Sequence, residues 1–189
     1  MLTGAPGTAS VAPGQTREDA TTGSRELDAA YMGAALDEAR RALDEGEVPV
    51  GAVVVHRGRI IGRGHNQTEA TLDATAHAEI IAIGAACREL RVPRLTQASI
   101  YVTMEPCPMC AGAIVMARLS RVVYGCADPE AGYCGSKGDL AGDSGLGHRV
   151  AVTSGVRADE CSALLESFFR DLRARGNAER PRGPRTTVG

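Results

Sequence analysis

The sequence predicts an α/β sandwich with a largely parallel sheet, and three observations carry that expectation. Short β-branched runs alternate with segments of helical spacing. The chain has 189 residues, enough for one ordinary domain with a real core. Hydrophobic residues make up 43% and charged residues 23%, the balance of a globular chain. Trp is absent and Phe occurs twice, so the core must rest on Val, Ile, Leu, Ala and Met.

Residues 1–24 are rich in Gly, Ala, Thr, Pro and Ser without periodicity, and disorder is expected there. Ser24 can cap a helix beginning at Arg25; Leu27, Tyr31, Ala34, Ala35, Leu36, Ala39 and Leu43 follow helical spacing, and Gly46 stops it. The β-branched run Val50–His56, the turn Arg57-Gly58 and the return Arg59–Gly64 read as a β-hairpin. A polar loop, Asn66–Thr75, precedes a helix over Ala76–Leu90 that offers Ile80, Ile81, Ile83 and Ala86 for burial. Ser99–Met104 is a strand. Pro106 opens a helix through Leu119, since Pro suits a first helical turn. Arg121–Cys126 is a strand, and 128–148 is a Gly-rich loop with room for one helical turn. Arg149–Thr153 is a fifth strand and Ala158–Arg175 a last helix. The organisation expected is therefore a tail (1–24), one domain (25–176) and a disordered Arg-rich tail (177–189).

Charge and targeting signals narrow the class. No run approaches the ~18 apolar residues of a membrane span. The start, MLTGAPGTASVAPGQ, has neither a basic beginning nor a solid apolar stretch, and Glu18 and Asp19 follow closely. Secretory and Arg-rich transit peptides look different, so a cytoplasmic protein is expected. The net charge of −2 makes no electrostatic case for nucleic acid by itself, and no DNA partner is expected. From Arg170 onward, however, six Arg face Asp171 and Glu179, a local +4 that leaves −6 for the rest. Such a tail either touches phosphates or is simply solvated.

The chemistry concentrates in Thr75-Ala-His-Ala-Glu79 and Glu105-Pro-Cys-Pro-Met-Cys110. A catalytic zinc takes three protein ligands and keeps one open position. His77 offers one nitrogen. Cys107 and Cys110 stand at i and i+3, neighbours on one helix face, so both thiolates can reach one ion. Both groups begin predicted helices, whose N-termini favour negative charge and keep thiolates ionised. Glu79, two residues after His77, is beside the metal but free of it. A carboxylate there can take a proton from the attacking water, pass it to a ring nitrogen and then protonate the departing amine. A structural zinc site would need a fourth ligand, for which Cys87, Cys126, Cys134 and Cys161 are available. A redox Cys pair would leave H-x-E idle. Disulfides suit neither the chain length nor the expected compartment.

The arrangement H-x-E…P-C-x-x-C, with 29 residues between His77 and Cys107, is the known signature of zinc nucleobase deaminases. Over about Leu27 to Arg173 the chain further resembles the bacterial tRNA-specific adenosine deaminases of the cytidine/deoxycytidylate deaminase superfamily. The resemblance rests on Glu-Val-Pro-Val-Gly-Ala (47–52), Gly64-His-Asn66, Thr-Ala-His-Ala-Glu-Ile (75–80), Tyr-Val-Thr-Met-Glu-Pro-Cys (101–107) and Met-Cys-Ala-Gly-Ala (109–113). It continues through Arg-Val-Val-Tyr-Gly (121–125), Gly135-Ser136, His-Arg-Val (148–150), Asp-Glu-Cys (159–161) and Phe168-Phe169-Arg170.

The resemblance implies a three-layer α/β/α cytidine-deaminase-like sandwich around a five-stranded mixed sheet. It implies one Zn²⁺ per subunit, a homodimer, and conversion of the wobble adenosine (position 34) of an arginine tRNA anticodon to inosine. It implies that Asn66 hydrogen-bonds the flipped base and that Pro49, Val50 and the backbone near Ala78 line the pocket. Asp128, His148, Arg149, Phe168 and Arg170 then belong to the anticodon-loop surface. Four positions depart from the family pattern. Ala74 replaces the usual proline, which loosens the loop into the zinc helix; Pro108 is also typical of free-base relatives. Glu130 and Leu172 stand where basic residues are common, which implies fewer phosphate contacts. Two other readings stand beside this one. A guanine or cytosine deaminase shares both zinc motifs but lacks the 128–136 and 168–170 blocks. A non-catalytic zinc RNA-binding module leaves Glu79 without a task.

Overall fold

A computed structural model of the chain describes residues 17–178. Its elements, in order, are α1 (Arg17–Asp44), β1 (Gly51–His56), β2 (Arg59–His65), α2 (Thr68–Thr71), α3 (Ala78–Leu90) and β3 (Ala98–Met104). They continue with α4 (Pro108–Met116), β4 (Arg121–Cys126), a 3₁₀ turn at Ser144–Leu146, β5 (Ala151–Thr153) and α5 (Ala158–Ala178). The sheet order is β2-β1-β3-β4-β5. β1 is antiparallel to both β2 and β3, whereas β4 is parallel to β3 and to β5, so the five-stranded sheet is mixed, as the resemblance implied. The largely parallel sheet read from strand–helix alternation is not met, because the β1–β2 hairpin turns the chain back and β1 then runs against β3 as well.

Side-chain alternation on the central strands builds two cores. Ala52, Val54, Ile100, Val102, Val122 and Tyr124 point to the face covered by α3 and α4. Val53, Val55, Tyr101 and Val123 point to the opposite face, with Met32, Ala35 and Leu36 of α1 and Cys161 and Leu165 of α5. Being covered on both faces, β1 and β3 read as continuous apolar runs. The hairpin turn has Arg57 at φ 51° and Gly58 at φ 75°, the left-handed pair of a two-residue hairpin turn. Ile61 is the extra residue of a bulge, because pairing steps from Val54↔Gly62 to Val55↔Ile60. On β2, Gly62 and Gly64 let the strand lie directly against the α3 backbone; a side chain at either would meet backbone atoms of Ala82.

Several boundaries differ from the sequence expectation. Helix α1 begins at Arg17, eight residues before Arg25, so Ser24 lies within the helix and does not cap it. Helix α5 runs three residues past Arg175, to Ala178. The remaining expectations of terminal disorder, at 1–16 and 179–189, lie outside the described residues. Helix α3 starts after His77, not at Ala76, because the Ala76 carbonyl accepts from Gln67 N instead of entering a helix. Helix α4 is shorter than 106–119: Cys107 caps it, and Arg118, at φ 59°, ends the helical run. The polar loop contains the single turn α2, and β5 is three residues long. On the face covered by α1, Arg121 of β4 donates two hydrogen bonds to Asp28 of α1 (2.9 and 2.7 Å), and Tyr101 Oη–H donates a third (2.8 Å). Among the described residues, no helix is long and apolar enough to cross a membrane.

Candidate metal centre and active site

The two sequence motifs meet where α3 and α4 begin. His77 is the N-cap of α3, and Cys107 is the N-cap of α4, both in extended backbone. Pro108 takes the first helical position, where its missing N–H costs nothing, and Cys110 follows in the same turn. His77 Nδ1 lies 3.5 Å from Cys110 Sγ and 3.7 Å from Cys107 Sγ. An ion bound tetrahedrally at ordinary Zn–S and Zn–N lengths separates N from S by about 3.6 Å, so the three donors fit zinc as they stand. Cys87, Cys126, Cys134 and Cys161 are not part of the cluster; among the described residues, no fourth Cys, His, Asp or Glu donor joins it. A structural zinc closes its shell with four protein ligands, whereas this set leaves a position open, as catalysis requires.

The electrostatics suit a cation. Cys107 is held down to about 5, chiefly by a hydrogen bond from the Cys110 thiol, with help from the N–H groups of Cys110 and Met109 and from His77. Cys110 is pushed up, because it keeps the proton shared with Cys107 and is buried. A divalent ion takes that proton's place, which is how metal binding releases protons. Glu79, in the first turn of α3, is 4% exposed. Burial pushes its carboxyl above the ordinary range, and the charge on Cys107 pushes in the same direction.

These groups open into a cavity of about 270 Å³ lined by Val48, Val50, Asn66, Thr68, His77, Glu79, Met104, Glu105, Cys107, Asp128 and Ala131. Of the sequence-predicted residues, Glu79, His77, Cys107, Asn66, Val50 and Asp128 line it, and Cys110 lies buried behind. Pro49 is buried but does not line the cavity, and neither does Ala78, whose backbone follows His77. His148, Arg149, Phe168 and Arg170 lie outside the lining. The His148 ring bonds the Leu119 carbonyl (2.7 Å), and Arg118 donates to the Gly147 carbonyl (2.5 Å), so Arg149 is exposed on a pinned loop. Phe168 packs edge-on against Phe169, with Arg170 exposed beside them.

Sequence reasoning missed Val48, Thr68, Met104, Ala131 and the role of Glu105. The Glu105 carboxylate is 3% exposed and accepts from the N–H groups of Asp128 (3.1 Å), Cys134 (3.0 Å) and Ser136 (3.0 Å), and from the Ser136 hydroxyl. Burial works to raise its pKa, but these bonds outweigh it and hold the group below the usual range. It therefore fixes the 128–136 wall. Within that wall, the Asp128 carboxylate caps a turn by accepting from Glu130 N and Ala131 N, both at 3.0 Å. Glu130 is exposed, and Lys137 Nζ donates to its carbonyl (2.7 Å), bringing a cation to the same segment. The missing proline at Ala74 does not leave the loop unrestrained: Asp73 closes it by accepting from Thr75 N (2.8 Å) and Thr75 Oγ1 (2.7 Å).

Residues 25–126 match the family model of the cytidine and deoxycytidylate deaminase zinc-binding region. The tRNA-specific adenosine deaminase of Bacillus subtilis is 46% identical over 153 residues, covering 81% of this chain and 95% of that protein. A solved structure from work on A-to-I editing by tRNA:A34 deaminases superposes with a TM-score of 0.68 at 43% identity, covering 72% of this chain and 99% of the other. A guanine deaminase structure from Nitrosomonas europaea gives a TM-score of 0.66 at 25% identity, covering 74% of this chain and 83% of that one.

Proposed function

The chain belongs to the cytidine and deoxycytidylate deaminase zinc-binding family, within it to the tRNA-specific adenosine deaminases, and from that premise we propose that it converts the wobble adenosine, position 34, of a tRNA anticodon to inosine. The chain is a zinc-dependent hydrolytic deaminase with one Zn²⁺ per subunit. Arginine tRNA is the substrate we infer from the family. The carrying observation is that one cavity joins the metal-ligand trio and Glu79 to Asn66 and Asp128.

When bound to His77, Cys107 and Cys110, zinc supplies Lewis-acid activation of the hydrolytic water. Glu79 holds and moves the proton. Its buried carboxylate takes one proton from the water and delivers it to N1 of adenine as the water oxygen bonds to C6. It then takes the proton of the new C6 hydroxyl and gives it to the amine, so that the C6–N bond breaks, ammonia leaves and C6 keeps the oxygen as a carbonyl. A carboxyl raised by burial suits this two-way transfer near neutral pH. Asn66 orients the flipped base, and Val50 packs against it. Asp128 faces the RNA at the cavity mouth, while Arg149, His148, Phe168 and Arg170 offer positive charge and aromatic surface to the anticodon loop. A loop nucleotide is the accessible target, because unstacking it costs less than opening a pair. A homodimer is part of the same reading.

The guanine deaminase likeness and Pro108 favour a second reading, deamination of a free base. Offering an adenosine-34 anticodon stem-loop, guanine and cytosine to one zinc-loaded preparation decides between them. Ammonia and inosine from the stem-loop alone support the proposal; release from guanine or cytosine, with the RNA untouched, overturns it.

A further inference from the structure

Glu47 lies in the segment between α1 and β1 and is 1% exposed, yet it does not line the cavity. Its carboxylate accepts from three groups that all come from the far side of the β-hairpin. Asn66 Nδ2 donates at 3.0 Å, Thr68 Oγ1 at 3.3 Å and the backbone N–H of Ala70 at 2.7 Å. Asn66 Nδ2 also donates to Thr68 Oγ1 (3.2 Å), and both Asn66 and Thr68 line the cavity. The Asn66 backbone is fixed separately, by donation from its N–H to the Val50 carbonyl (3.0 Å).

An asparagine side chain can be seated two ways, with its NH₂ and its carbonyl oxygen exchanged. A carboxylate only accepts, so an exchanged Asn66 would set Oδ1 against a Glu47 oxygen, two acceptors at hydrogen-bond distance. The same carboxylate orients the Thr68 hydroxyl by accepting its hydrogen bond, which leaves the Thr68 oxygen lone pairs free to accept from Asn66. We propose that Glu47 is a positioning residue that selects the amide orientation of Asn66, and thereby the donor–acceptor pattern the cavity shows to the base. This rests on the reading of Asn66 as the base-contacting residue. Glu47 touches no substrate; it acts through Asn66 and Thr68. A glutamine at position 47 keeps the size but presents an NH₂ as readily as an oxygen, so it no longer forbids the exchanged amide.

The test is a double-mutant cycle of Glu47→Ala and Asn66→Ala, with Glu47→Gln as the conservative variant. It is run on whichever of the adenosine-34 stem-loop, guanine and cytosine releases ammonia, so failure of the RNA reading leaves the coupling measurable. Zinc content and thermal midpoint are recorded for every protein. Asn66→Ala is expected to lower kcat/KM by about 100-fold, Glu47→Ala by about as much, and the double variant by no more than about twice the Asn66→Ala loss. Glu47→Gln is expected to fold with full zinc and lose about 3- to 10-fold. Losses that multiply in the double variant, or parental kcat/KM in Glu47→Gln and Glu47→Ala alike, overturn the positioning role. If Glu47→Ala does not fold, the same cycle with Glu47→Gln decides by the same criterion. Parental kcat/KM in Asn66→Ala alone removes both the Asn66 assignment and this inference, and that single measurement distinguishes it from failure of the coupling.

Discussion

Replacing Gly64 by alanine couples the packing of the sheet to the helix start that carries His77 and Glu79. An alanine Cβ there would sit 2.7 Å from Ala82 N and 2.9 Å from Ile81 Cβ, and closer still to the Ala78 carbonyl oxygen. These atoms belong to the first turns of α3, which follow His77 and carry Glu79. Restoring an ordinary contact of 3.4 Å to Ala82 N alone needs α3 to lift from β2 by about 0.7 Å. Overpacking of this kind costs about 1–3 kcal/mol, offset by roughly 0.5 kcal/mol from the stiffer unfolded chain. At about 2–4 °C per kcal/mol for a chain of this size, the thermal midpoint should fall by roughly 1–10 °C. A displacement near 1 Å at a catalytic group costs up to about 100-fold, so kcat/KM should fall about 10-fold or more. Gly84→Ala on the same helix is the control. Its Cβ would meet only the flexible end of Arg88 at 3.4 Å, and helix propensity favours alanine by up to about 1 kcal/mol. Differential scanning calorimetry and ammonia release on both variants make the measurement. A Gly64→Ala protein as stable and active as Gly84→Ala would refute the argument that close backbone contact between β2 and α3 sets the position of Glu79.

Two further outcomes are expected. Glu79→Gln should keep one zinc per chain by elemental analysis and lose about 10²- to 10⁴-fold in turnover; near-parental turnover would remove its assigned role. Asp28→Asn should destabilise by about 1–3 kcal/mol, below the ~3–5 kcal/mol of a fully buried pair, because the Arg121 side chain keeps 28% exposure. Burial acts to raise the Asp28 pKa, but hydrogen bonds from Arg121 and Tyr101 and the guanidinium charge outweigh it, so the folded value lies below 3.8. The stability contributed by a depressed carboxyl is complete above the unfolded pKa and is lost as pH falls through the folded one. Chemical denaturation of parent and Asp28→Asn should therefore converge below about pH 4; a constant difference down to pH 2 would argue against the ion pair as its source.

How much was legible in the sequence follows from which interactions are local. The hairpin was readable because Arg57-Gly58 is a turn signal between β-branched runs. The zinc trio was readable because each half is a short-range pattern, His77-x-Glu79 and Cys107-x-x-Cys110, whose spacing is fixed by a helix start. The start of α1 was not, because Gly, Thr and Ser between 20 and 24 lower helix propensity without forbidding it. The end of α4 was missed for the opposite reason. Nothing in Ala117-Arg118-Leu119 breaks a helix, yet the chain turns at Arg118, and the Leu95 N–H donates to the Ala117 carbonyl (2.6 Å). The cavity wall was the least legible part. Val48, Met104 and Ala131 come from three separate segments, and only the sheet order brings them together.

The three buried glutamates at this site, Glu47, Glu79 and Glu105, look alike in the sequence and differ in what surrounds each carboxylate. Glu47 and Glu105 each collect at least three donors from residues 19 to 31 positions away in the chain. For Glu105 the consequence is a pKa held below the usual range despite its burial. A carboxylate in that state is a poor proton carrier, because protonation would break the bonds that hold the 128–136 wall. Glu79 is just as buried but has little besides its own N–H and the Cys110 thiol, so burial prevails and its pKa rises. A buried carboxylate short of donors costs stability, and such groups cluster at functional sites. That contrast agrees with the role proposed for Glu79, the one of the three that also lines the cavity beside His77 and Cys107 without a set of backbone donors. Glu47 and Glu105, whose oxygens accept from several fixed donors, are instead placed to hold the segments that form the cavity's two polar walls.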